Sequence, residues 1–446
     1  RGEKQELMIN DQIKNNYIKI LNENYSEYKN DYKKLLKNRK EYGATYKEEE
    51  IPTLYDAYFY NQEDYNIYED IIDIFMSIVE KVTKEYVENK SYRKIFDLDP
   101  LTEKLILKDP GYNISTPIAR FDVMYDGRED YKFCELNTDG SSAMLEDKSL
   151  ADLMKETKAI EKLKEKYEIE HIDLLQTLVD SIEDLYYKAK NTRKKINIAI
   201  VDIIEFDNIE FKTIQKLFEK KGHNCKIADL KDLKRKEDGL YIEDMKIDLV
   251  YRRLVTSDLI ENKEIGKDLI ESYLNDEIMT IGSFRSTLFY TKDIFRILRL
   301  KESQKILSEK ENEFIKKHIP YTEKYSYQKD KEKILENKDK YILKPIQGYA
   351  SHGIYVGKEH DKKEFEKILE EIKDKNYIYQ EYYMVKPLEF VKMEDEKAKL
   401  KDFSYVTGLF AYNKKFIAPY MRIGNAALIS SAREYYVVSS LKIKEK

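Results

Sequence analysis

Four polar side chains stand at alternating positions in the stretch ARFDVMYDGREDYKFCELNTD, residues 119–139. Its first half carries Arg120 and Asp122, and its second half carries Glu135 and Asn137. Residues two apart point to the same face of a β-strand, and the segment DGRED between the halves predicts a turn. If the two strands pair as a hairpin, two carboxylates, a carboxamide and a guanidinium meet on one patch. Such a patch could bind a cation through its oxygen atoms and an anion through its guanidinium.

A second candidate site lies in YILKPIQGYASHGIYVG, residues 341–357. The pattern predicts a strand with Lys344, a loop with Gly348 and Gly353, and a second strand. Glycines allow backbone N–H groups to approach anionic oxygens, and Lys344 would add a positive charge. This is typical of a hairpin that covers phosphates, although a glycine turn without any ligand is the alternative. His352 is expected to face water.

The stretch YIYQEYY, residues 377–383, predicts a strand that carries Gln380 and Glu381. After a hairpin that bears a lysine, such a strand could hold an adenine base through its backbone groups. An ordinary edge strand is the alternative. The order of lysine, glycine loop and strand is characteristic of ATP-grasp enzymes. In most of these the metal-binding residues follow, whereas here Glu135 and Asn137 come first, which indicates a permuted order.

The chain resembles the glutathionylspermidine synthase-like family of ATP-grasp carboxylate–amine ligases, from about residue 50 to its end. The resemblance rests on the motifs ARFDVMYD, FCELNTD, IDLVYRR, YTKDIFRIL, EKENEFIKKHIPYT, YILKPIQGYASHGI, YIYQEYY and YMRIG. It includes the permuted order of the segments. We expect the separate amidase domain of that family to be absent, because only helices are predicted before the synthetase-like part.

The resemblance implies that Asp122, Glu135 and Asn137 bind two Mg²⁺ ions, which bridge the phosphates of the co-substrate ATP. Mg²⁺ prefers oxygen ligands, and phosphoryl transfer requires neutralisation of negative charge. A surface hairpin with scattered charges is the alternative.

Four basic residues receive roles from the same resemblance. Arg120 would contact the phosphoryl group in transfer or a tetrahedral oxyanion, as a planar guanidinium can, unless it forms a salt bridge with Asp122. Arg422 in YMRIG would lie near the phosphates. Lys292 would join Lys344 and the two glycines of the loop as an ATP-binding residue, or be a solvated surface lysine.

Substrate contacts are predicted at two further places. The segment TDGSS is a turn by its Asp-Gly pair, and it could also border the acceptor pocket, where Asp139 would suit a cationic amine and Ser141 would lie beside it. Arg252 and Arg253 end a predicted strand, and such strand ends face ligand clefts. One of them could bind the carboxylate substrate, with an interdomain salt bridge as the alternative.

Composition limits the class of protein. The 446 residues include 80 basic and 85 acidic ones, a net charge of −5, which argues against nucleic acid as a partner. No apolar run is long enough to predict a membrane span or a signal peptide. The two cysteines, Cys134 and Cys225, form no disulfide framework, and we expect a cytoplasmic protein. Cys134 alternates with Glu135 and is expected to pack in the core.

The elements that must position these residues indicate an α/β fold. Apolar residues recur every three or four positions over 8–40 and 62–90, which predicts two amphipathic helices. The alternation of strand, helix and strand after residue 193 predicts a small parallel sheet. Four segments are predicted: a mostly helical N-terminal region (1–115), a metal-binding segment of the ATP-grasp core with helices (116–192), a Rossmann-like small domain (193–290) and the nucleotide-binding part of the ATP-grasp core (291–446).

The predicted reaction is ATP-dependent formation of an amide through an acyl phosphate, with a small-molecule or peptide carboxylate and an amine as substrates. The loop over residues 348–353 is expected to close over the nucleotide and exclude water. Two alternatives stay open: a phosphotransferase on the same scaffold, and a regulatory protein that binds nucleotide. Only the first reaction requires an amine.

Overall fold

The structure is a computed structural model, and it describes residues 9–127, 130–348, 352–426, 429 and 435–446. The helices of these residues are α1 (Ile9–Glu23), α2 (Tyr25–Asn38), α3 (Gln62–Glu88), α4 (Lys90–Arg93), α5 (Pro100–Leu107), α6 (Met144–Lys155), α7 (Lys158–Leu163), α8 (Leu174–Lys190), α9 (Ile209–Lys220), α10 (Thr256–Glu261), α11 (Lys267–Leu274), α12 (Thr287–Tyr290), α13 (Ile294–Ile297), α14 (Lys301–Gln304), α15 (Glu309–His318), α16 (Tyr327–Glu336) and α17 (Lys362–Glu371).

The strands are mostly short, and several come from segments far apart in the chain. They are β1 (Thr45–Tyr46), β2 (Glu49–Glu50), β3 (Ala57–Tyr60), β4 (Ile118–Tyr125), β5 (Tyr131–Asn137), β6 (Tyr167–Glu170), β7 (Asn197–Asp202), β8 (Asn224–Asp229), β9 (Leu233–Lys236), β10 (Gly239–Ile242), β11 (Met245–Lys246), β12 (Leu249–Arg252), β13 (Met279–Ile281), β14 (Thr322–Lys324), β15 (Tyr341–Pro345), β16 (Tyr355–Val356), β17 (Tyr377–Glu381), β18 (Leu388–Met393), β19 (Ala398–Tyr412), β20 (Lys415–Gly424) and β21 (Tyr435–Glu445).

The first amphipathic pattern forms two helices, so the prediction of one helix over 8–40 is wrong at its middle. Asn24 separates α1 from α2 with a non-helical backbone, φ −141° and ψ 61°. Its side chain donates to the Glu27 carboxylate at 2.6 Å. Asn favours such a position because its side chain competes with the helical hydrogen bonds. The second predicted helix is confirmed as α3, which begins with a capping box between Asn61 and Asp64.

The largest sheet has eight strands, six of them in the order β3–β21–β20–β19–β4–β5, with β18 attached to β19 and β6 to β21. The β4–β5 hairpin from the first third of the chain therefore pairs with strands from the last third. Helix α3 packs across the hairpin, where the ring of Phe75 lies 5.0 Å from Phe121 and 4.5 Å from Phe133. Burying each such side chain contributes about 2 kcal/mol, so α3 fixes the position of the hairpin.

The structure also has two smaller four-stranded sheets. The sheet β13–β12–β7–β8 is parallel throughout, as the pattern after residue 193 predicts. The sheet β14–β17–β15–β16 is antiparallel and contains the predicted hairpin of β15 and β16. The fold is mixed α/β, and the permuted order, the Rossmann-like character of the parallel unit and the four domain boundaries stay predictions.

Candidate active site

The β4–β5 hairpin brings the first four predicted residues together. Its register places Asp122 opposite Glu135 and Arg120 opposite Asn137. Directly after Asp122 the register shifts, and Cys134 is left without a partner on β4. This is a β-bulge, which bends a strand and redirects its side chains.

Asp122 is buried, and two guanidinium groups balance its negative charge. Arg120 donates from Nε to Oδ1 at 2.7 Å and from Nη2 to Oδ2 at 3.2 Å. Arg422 Nη2 lies 2.5 Å from Oδ2, and Asn137 Nδ2 donates to the same oxygen at 3.2 Å. Burial alone would raise the pKa of Asp122, but Arg120 and Arg422 outweigh it and lower the pKa below its ordinary value. The salt bridge that the sequence left open for Arg120 is therefore present, and Arg422 joins it.

Gly408 makes room for this ion cluster, and the sequence reasoning missed it. It lies on β19 directly opposite Asp122. A Cβ atom at this position would stand 2.8 Å from Arg120 Cδ and 3.0 Å from Asp122 Oδ1, closer than non-bonded atoms normally approach. The available signal was a glycine inside a run of strand formers, which often marks a close approach of other groups.

Lys344 connects the hairpin to the antiparallel sheet. Its Nζ donates to the carbonyl oxygen of Cys134 at 2.9 Å and to Gln380 Oε1 at 2.8 Å. Burial lowers the pKa of Lys344. The two predicted half-sites therefore meet through this one side chain.

Lys292 connects the glycine loop to Glu135 of the β4–β5 hairpin. Its Nζ donates to the carbonyl oxygen of Gly348 at 2.6 Å and lies 3.7 Å from Glu135 Oε1. Gly348 and Gly353 have φ angles of +114° and +70°, which disfavour side chains. Residues 349–351, which belong to the loop predicted to cover the nucleotide, lie outside the described residues.

Most of these residues line one cavity of about 80 Å³, the central cavity, between the hairpin and the antiparallel sheet. Its basic lining residues are Lys132, Lys292, Lys344 and Arg422, and its acidic lining residues are Asp122, Glu135 and Glu381. Gln380 also lines it, while Arg120 and Asn137 contact Asp122. With Arg120 counted, positive charges exceed negative ones by two.

The prediction that Cys134 packs in the core is wrong. It lines the central cavity, because the bulge breaks the alternation on which that expectation depended. Its Sγ lies 3.2 Å from the carbonyl oxygen of Asp122. Burial raises the pKa of its thiol to about 12, so the thiol stays protonated at neutral pH.

Asp139 and Arg252 form a buried ion pair with each other. Asp139 Oδ1 lies 2.6 Å from Arg252 Nη2, and both side chains are 0% exposed. The other oxygen of Asp139 accepts from the backbone N–H and the hydroxyl of Thr256 at 2.8 and 2.6 Å. Gly140 keeps this turn close to the parallel sheet, since a Cβ there would stand 2.6 Å from the Arg253 carbonyl oxygen. A salt bridge of this kind is the alternative that the sequence left open for Arg252, and the substrate-binding roles stay untested predictions.

Ser141 and Arg253 also lie outside the lining of the central cavity. The Ser141 hydroxyl donates to the carbonyl oxygen of Asn137. Arg253 Nη2 donates to Glu210 Oε1 at 3.1 Å. Arg253 lines a second cavity of about 90 Å³, which we call the acidic cavity. Its charged lining residues are Lys47, Glu48, Glu146, Asp207, Glu210 and Arg253.

Glu146 lines the acidic cavity and contacts Tyr420, and neither residue was predicted from the sequence. The Tyr420 hydroxyl donates to Glu146 Oε2 at 2.6 Å. The centre of the Tyr420 ring is 5.5 Å from the guanidinium carbon of Arg120, a cation–π contact. Tyr420 stands two residues before Arg422 on β20, so both face the ion cluster. Isolated glutamate and tyrosine residues carry no motif that would have identified them.

The oxygen atoms at the central cavity and beside it suit a hard cation. Asp122, Glu135 and Asn137 offer two carboxylates and one carboxamide, which are oxygen ligands that Mg²⁺ accepts. Among the described residues, no group of three or more His, Cys, Asp and Glu side chains lies close enough for a metal site of that kind. Asp122 would have to share its oxygens with Arg120 and Arg422, whereas Glu135 is partly exposed to the cavity, with 33% of its side chain accessible.

None of the helices in the described ranges combines the length and apolar character needed to cross a bilayer.

The profile of one protein family, described as glutathionylspermidine synthase preATP-grasp, matches residues 26–393. No curated protein is significantly similar in sequence. Among solved structures, a glutathione synthetase-like effector from Globodera pallida is 12% identical, with a TM-score of 0.57, over 92% of this chain and 96% of the other. A candidate γ-glutamylcysteine synthetase from Methylobacillus flagellatus is 10% identical, with a TM-score of 0.43, over 82% and 87%. The first of these likenesses shows a shared fold.

Proposed function

The chain belongs to the glutathionylspermidine synthase preATP-grasp family, and from that premise we propose that it is an ATP-dependent ligase that joins a carboxylate to an amine. The observation that carries the proposal is the convergence of Arg422, Lys292 and Lys344 on two carboxylates in the central cavity, with Arg120 against one of them, Asp122. A buried excess of positive charge is costly without an anion. The phosphates of ATP would supply that anion.

Lys344 and Lys292 are suited to bind the phosphates. Both already donate to carbonyl oxygens, of Cys134 and Gly348, which a phosphate oxygen could replace with a gain in charge attraction. Gln380 and Glu381, at the end of β17, would border the adenosine. The cavity is smaller than the roughly 300–1,000 Å³ of typical ligand sites, so nucleotide binding requires the hairpin and the antiparallel sheet to move apart.

Asp122, Glu135 and Asn137 would hold Mg²⁺. The bound ion supplies charge neutralisation to the phosphate oxygens. The register that places Asp122 opposite Glu135 brings their carboxylates to one side of the hairpin without further adjustment of the backbone.

The reaction would proceed in two steps. The carboxylate substrate attacks the γ-phosphorus of ATP, which forms an acyl phosphate and releases ADP. The amine then attacks the acyl carbon, phosphate leaves, and the nitrogen loses its protons. Arg120 and Arg422 would stabilise the negative charge that develops on the transferred group and on the tetrahedral oxyanion. A preorganised pair of guanidiniums is suited to this, because Asp122 already fixes the orientation of both.

The test is ADP release from Mg-ATP by purified protein, with pools of peptides and amino acids crossed against pools of polyamines and other amines. Mass spectrometry on active wells identifies the products. ADP release that requires both a carboxylate and an amine, together with a condensed mass, supports the ligase. ADP release with no amine requirement contradicts it and favours a phosphotransferase. Binding of Mg-ATP without turnover in any well favours a regulatory protein.

A further inference from the structure

Lys344 has one hydrogen-bond acceptor in its own sheet and one in the β4–β5 hairpin. Its Nζ donates to Gln380 Oε1 at 2.8 Å and to the carbonyl oxygen of Cys134 at 2.9 Å. Gln380 lies on β17, which pairs with β15, whereas Cys134 lies on β5. Under the proposed function the sheet and the hairpin move apart when nucleotide binds, which separates Lys344 from Cys134. The contact with Gln380 is kept, because it is internal to the sheet.

The register of the antiparallel sheet prepares this contact. Gln380 stands opposite Ile342 on β15 and opposite Thr322 on β14. Directly opposite residues have side chains on the same face, and Lys344 follows Ile342 by two positions, so it shares that face. Three side chains from three adjacent strands, those of Thr322, Gln380 and Lys344, therefore lie on one face of the sheet.

Thr322 contacts the other end of the Gln380 side chain. Gln380 Nε2 donates to Thr322 Oγ1 at 2.9 Å, and the Thr322 hydroxyl donates to the carbonyl oxygen of Pro320 at 3.0 Å. A threonine hydroxyl has one proton and two lone pairs. Because the proton is directed at Pro320, a lone pair faces Gln380, and only the amide nitrogen can approach that lone pair as a donor.

The orientation of the Gln380 amide determines which group Lys344 meets. A glutamine amide can be turned end for end with little change of shape, but its oxygen accepts hydrogen bonds and its nitrogen donates them. In the turned orientation the amide N–H groups would face the N–H groups of the Lys344 ammonium, and the contact would be lost. Thr322 therefore selects the orientation in which the amide oxygen faces Lys344.

Burial makes these contacts matter. Thr322 and Gln380 are 1% and 2% exposed, so water does not replace a lost partner there. A hydrogen bond that is removed from such a position costs more than one at the surface. Gln380 and Lys344 line the central cavity, whereas Thr322 does not. Thr322 can therefore act on a bound nucleotide only through the residues beside it.

We propose that Thr322 is a positioning residue of the nucleotide site, which through the amide of Gln380 holds the Lys344 ammonium ready for the phosphates of ATP. This inference depends on the proposed function, in which Lys344 binds phosphate. An ammonium group has three N–H donors. Gln380 keeps one of them, and the other two, including the one that Cys134 releases, are available to phosphate oxygens. A side chain that is already held in place loses less conformational freedom on binding.

The test measures the dissociation constant of Mg-ATP by isothermal titration calorimetry in wild-type protein and in variants of Thr322. Thr322→Val removes the hydroxyl with little change of side-chain volume, and we expect it to weaken binding about fivefold. Thr322→Ser restores the hydroxyl and should bind within about twofold of wild type. Thr280→Val is the matched control, because Thr280 is also a strand threonine with 1% exposure, on β13. It should bind like wild type.

The Lys344→Met background distinguishes positioning of the lysine from a merely structural role. If Thr322 acts through Lys344, Thr322→Val should not weaken the binding of Mg-ATP further in that background, because the ammonium is already removed. A further fivefold loss there would mean that Thr322 supports the site in another way, and it would overturn the proposal. Wild-type affinity in Thr322→Val would overturn it too. If Thr322→Val is unfolded by circular dichroism, Gln380→Leu takes its place in the same double-mutant cycle.

Failure of this inference and failure of the proposed function give different results. Weakened binding in Lys344→Met together with unchanged binding in Thr322→Val contradicts this inference alone. Wild-type protein that does not bind Mg-ATP contradicts the proposed function, and this inference fails with it.

Discussion

Lys344 Nζ donates a hydrogen bond to the carbonyl oxygen of Cys134, 2.9 Å away, although the two residues are 210 positions apart in the chain. The acceptor is the residue of β5 that the bulge leaves unpaired. The bulge thereby offers a free carbonyl oxygen to the lysine of the antiparallel sheet. One irregularity in the hairpin creates the contact between the hairpin and the antiparallel sheet, the two halves of the candidate site.

Replacing Lys344 tests the phosphate contact. We expect Lys344→Met to weaken the binding of Mg-ATP by 10-fold or more, about 1.4 kcal/mol, because a charged phosphate contact is lost. Isothermal titration calorimetry measures the change. Lys363→Met is the control, since Lys363 is exposed on α17. Equal affinity in Lys344→Met and wild-type protein would remove Lys344 from the nucleotide site.

Of the two carboxylates proposed to bind the metal ion, Glu135 is more accessible than Asp122. We expect Glu135→Ala to abolish ADP formation, with at least a 100-fold loss, because phosphate charge would no longer be neutralised. The temperature of unfolding should stay within a few degrees of wild type, since the side chain is partly exposed. Glu389→Ala on the exposed face of β18 serves as the comparison. Wild-type turnover in Glu135→Ala would contradict the metal assignment.

Gly408 tests whether the geometry of the ion cluster matters for turnover. In Gly408→Ala the new methyl group meets Arg120 Cδ and Asp122 Oδ1 at 3.0 Å or less, so the pair must shift. We expect ADP formation to fall by about 10-fold or more, since positions of catalytic groups tolerate little displacement. The free energy of unfolding should fall by about 1–3 kcal/mol, as for other overpacked sites. Full activity in this variant would show that the pair can move without consequence.

A variant of Asp139 distinguishes a structural role of this residue from a role in substrate binding. We expect Asp139→Asn to lower the free energy of unfolding by about 3 kcal/mol or more, because it leaves the fully buried Arg252 without its counter-charge. Denaturant unfolding measures this loss. Asp184→Asn removes the carboxylate of a surface pair with Lys188 and should cost less than about 1 kcal/mol. A stable Asp139→Asn protein with a raised KM for the amine would support the predicted substrate contact instead.

The lowered pKa of Glu311 predicts that the stability of the fold depends on pH. Burial by itself would raise the pKa of Glu311, but hydrogen bonds from Lys81, Ser308 and Ser77 lower it to about 2. The folded-state pKa is below the ordinary value of 4.5, so the carboxylate stabilises the fold fully above pH 4.5, and this contribution is lost as the pH falls toward 2.

The variant Glu311→Gln measures that contribution. Glu311 also closes the capping box at the start of α15, so we expect a loss of about 2 kcal/mol at pH 7. The difference from wild type should shrink when urea unfolding is repeated at pH 4. Glu309→Gln, an exposed acid in the same helical turn, is the control. A difference that stays constant between pH 7 and pH 4 would show that Glu311 is not ionised in this way.

Much of the candidate site could be predicted because its determinants are local. Alternation at Arg120, Asp122, Glu135 and Asn137 depends only on the two-residue period of a strand, and the structure places these four residues together. The parallel unit was predictable for the same reason, since short apolar runs between helices leave few other arrangements. The hairpin of β15 and β16 was predicted from a strand pattern on either side of a glycine loop, and its two strands pair as predicted.

What the sequence could not determine depends on contacts between distant segments. The strands β3 and β6 form because each pairs with β21 of the large sheet, which no local preference encodes. The space kept open by Gly408, the contact of Lys344 with Cys134 and the position of Glu146 beside Tyr420 each require a partner far away in the chain.

The sequence by itself therefore determined the chemical groups of the site and the elements that carry them. The tertiary structure decided which charges face each other: it paired Asp139 with Arg252 in the interior, set Asp122 between two guanidiniums, and separated a positive cavity from an acidic one. The physical reason is that strand periodicity acts over a few residues, whereas electrostatic compensation and close packing act through space between segments that the chain order leaves far apart.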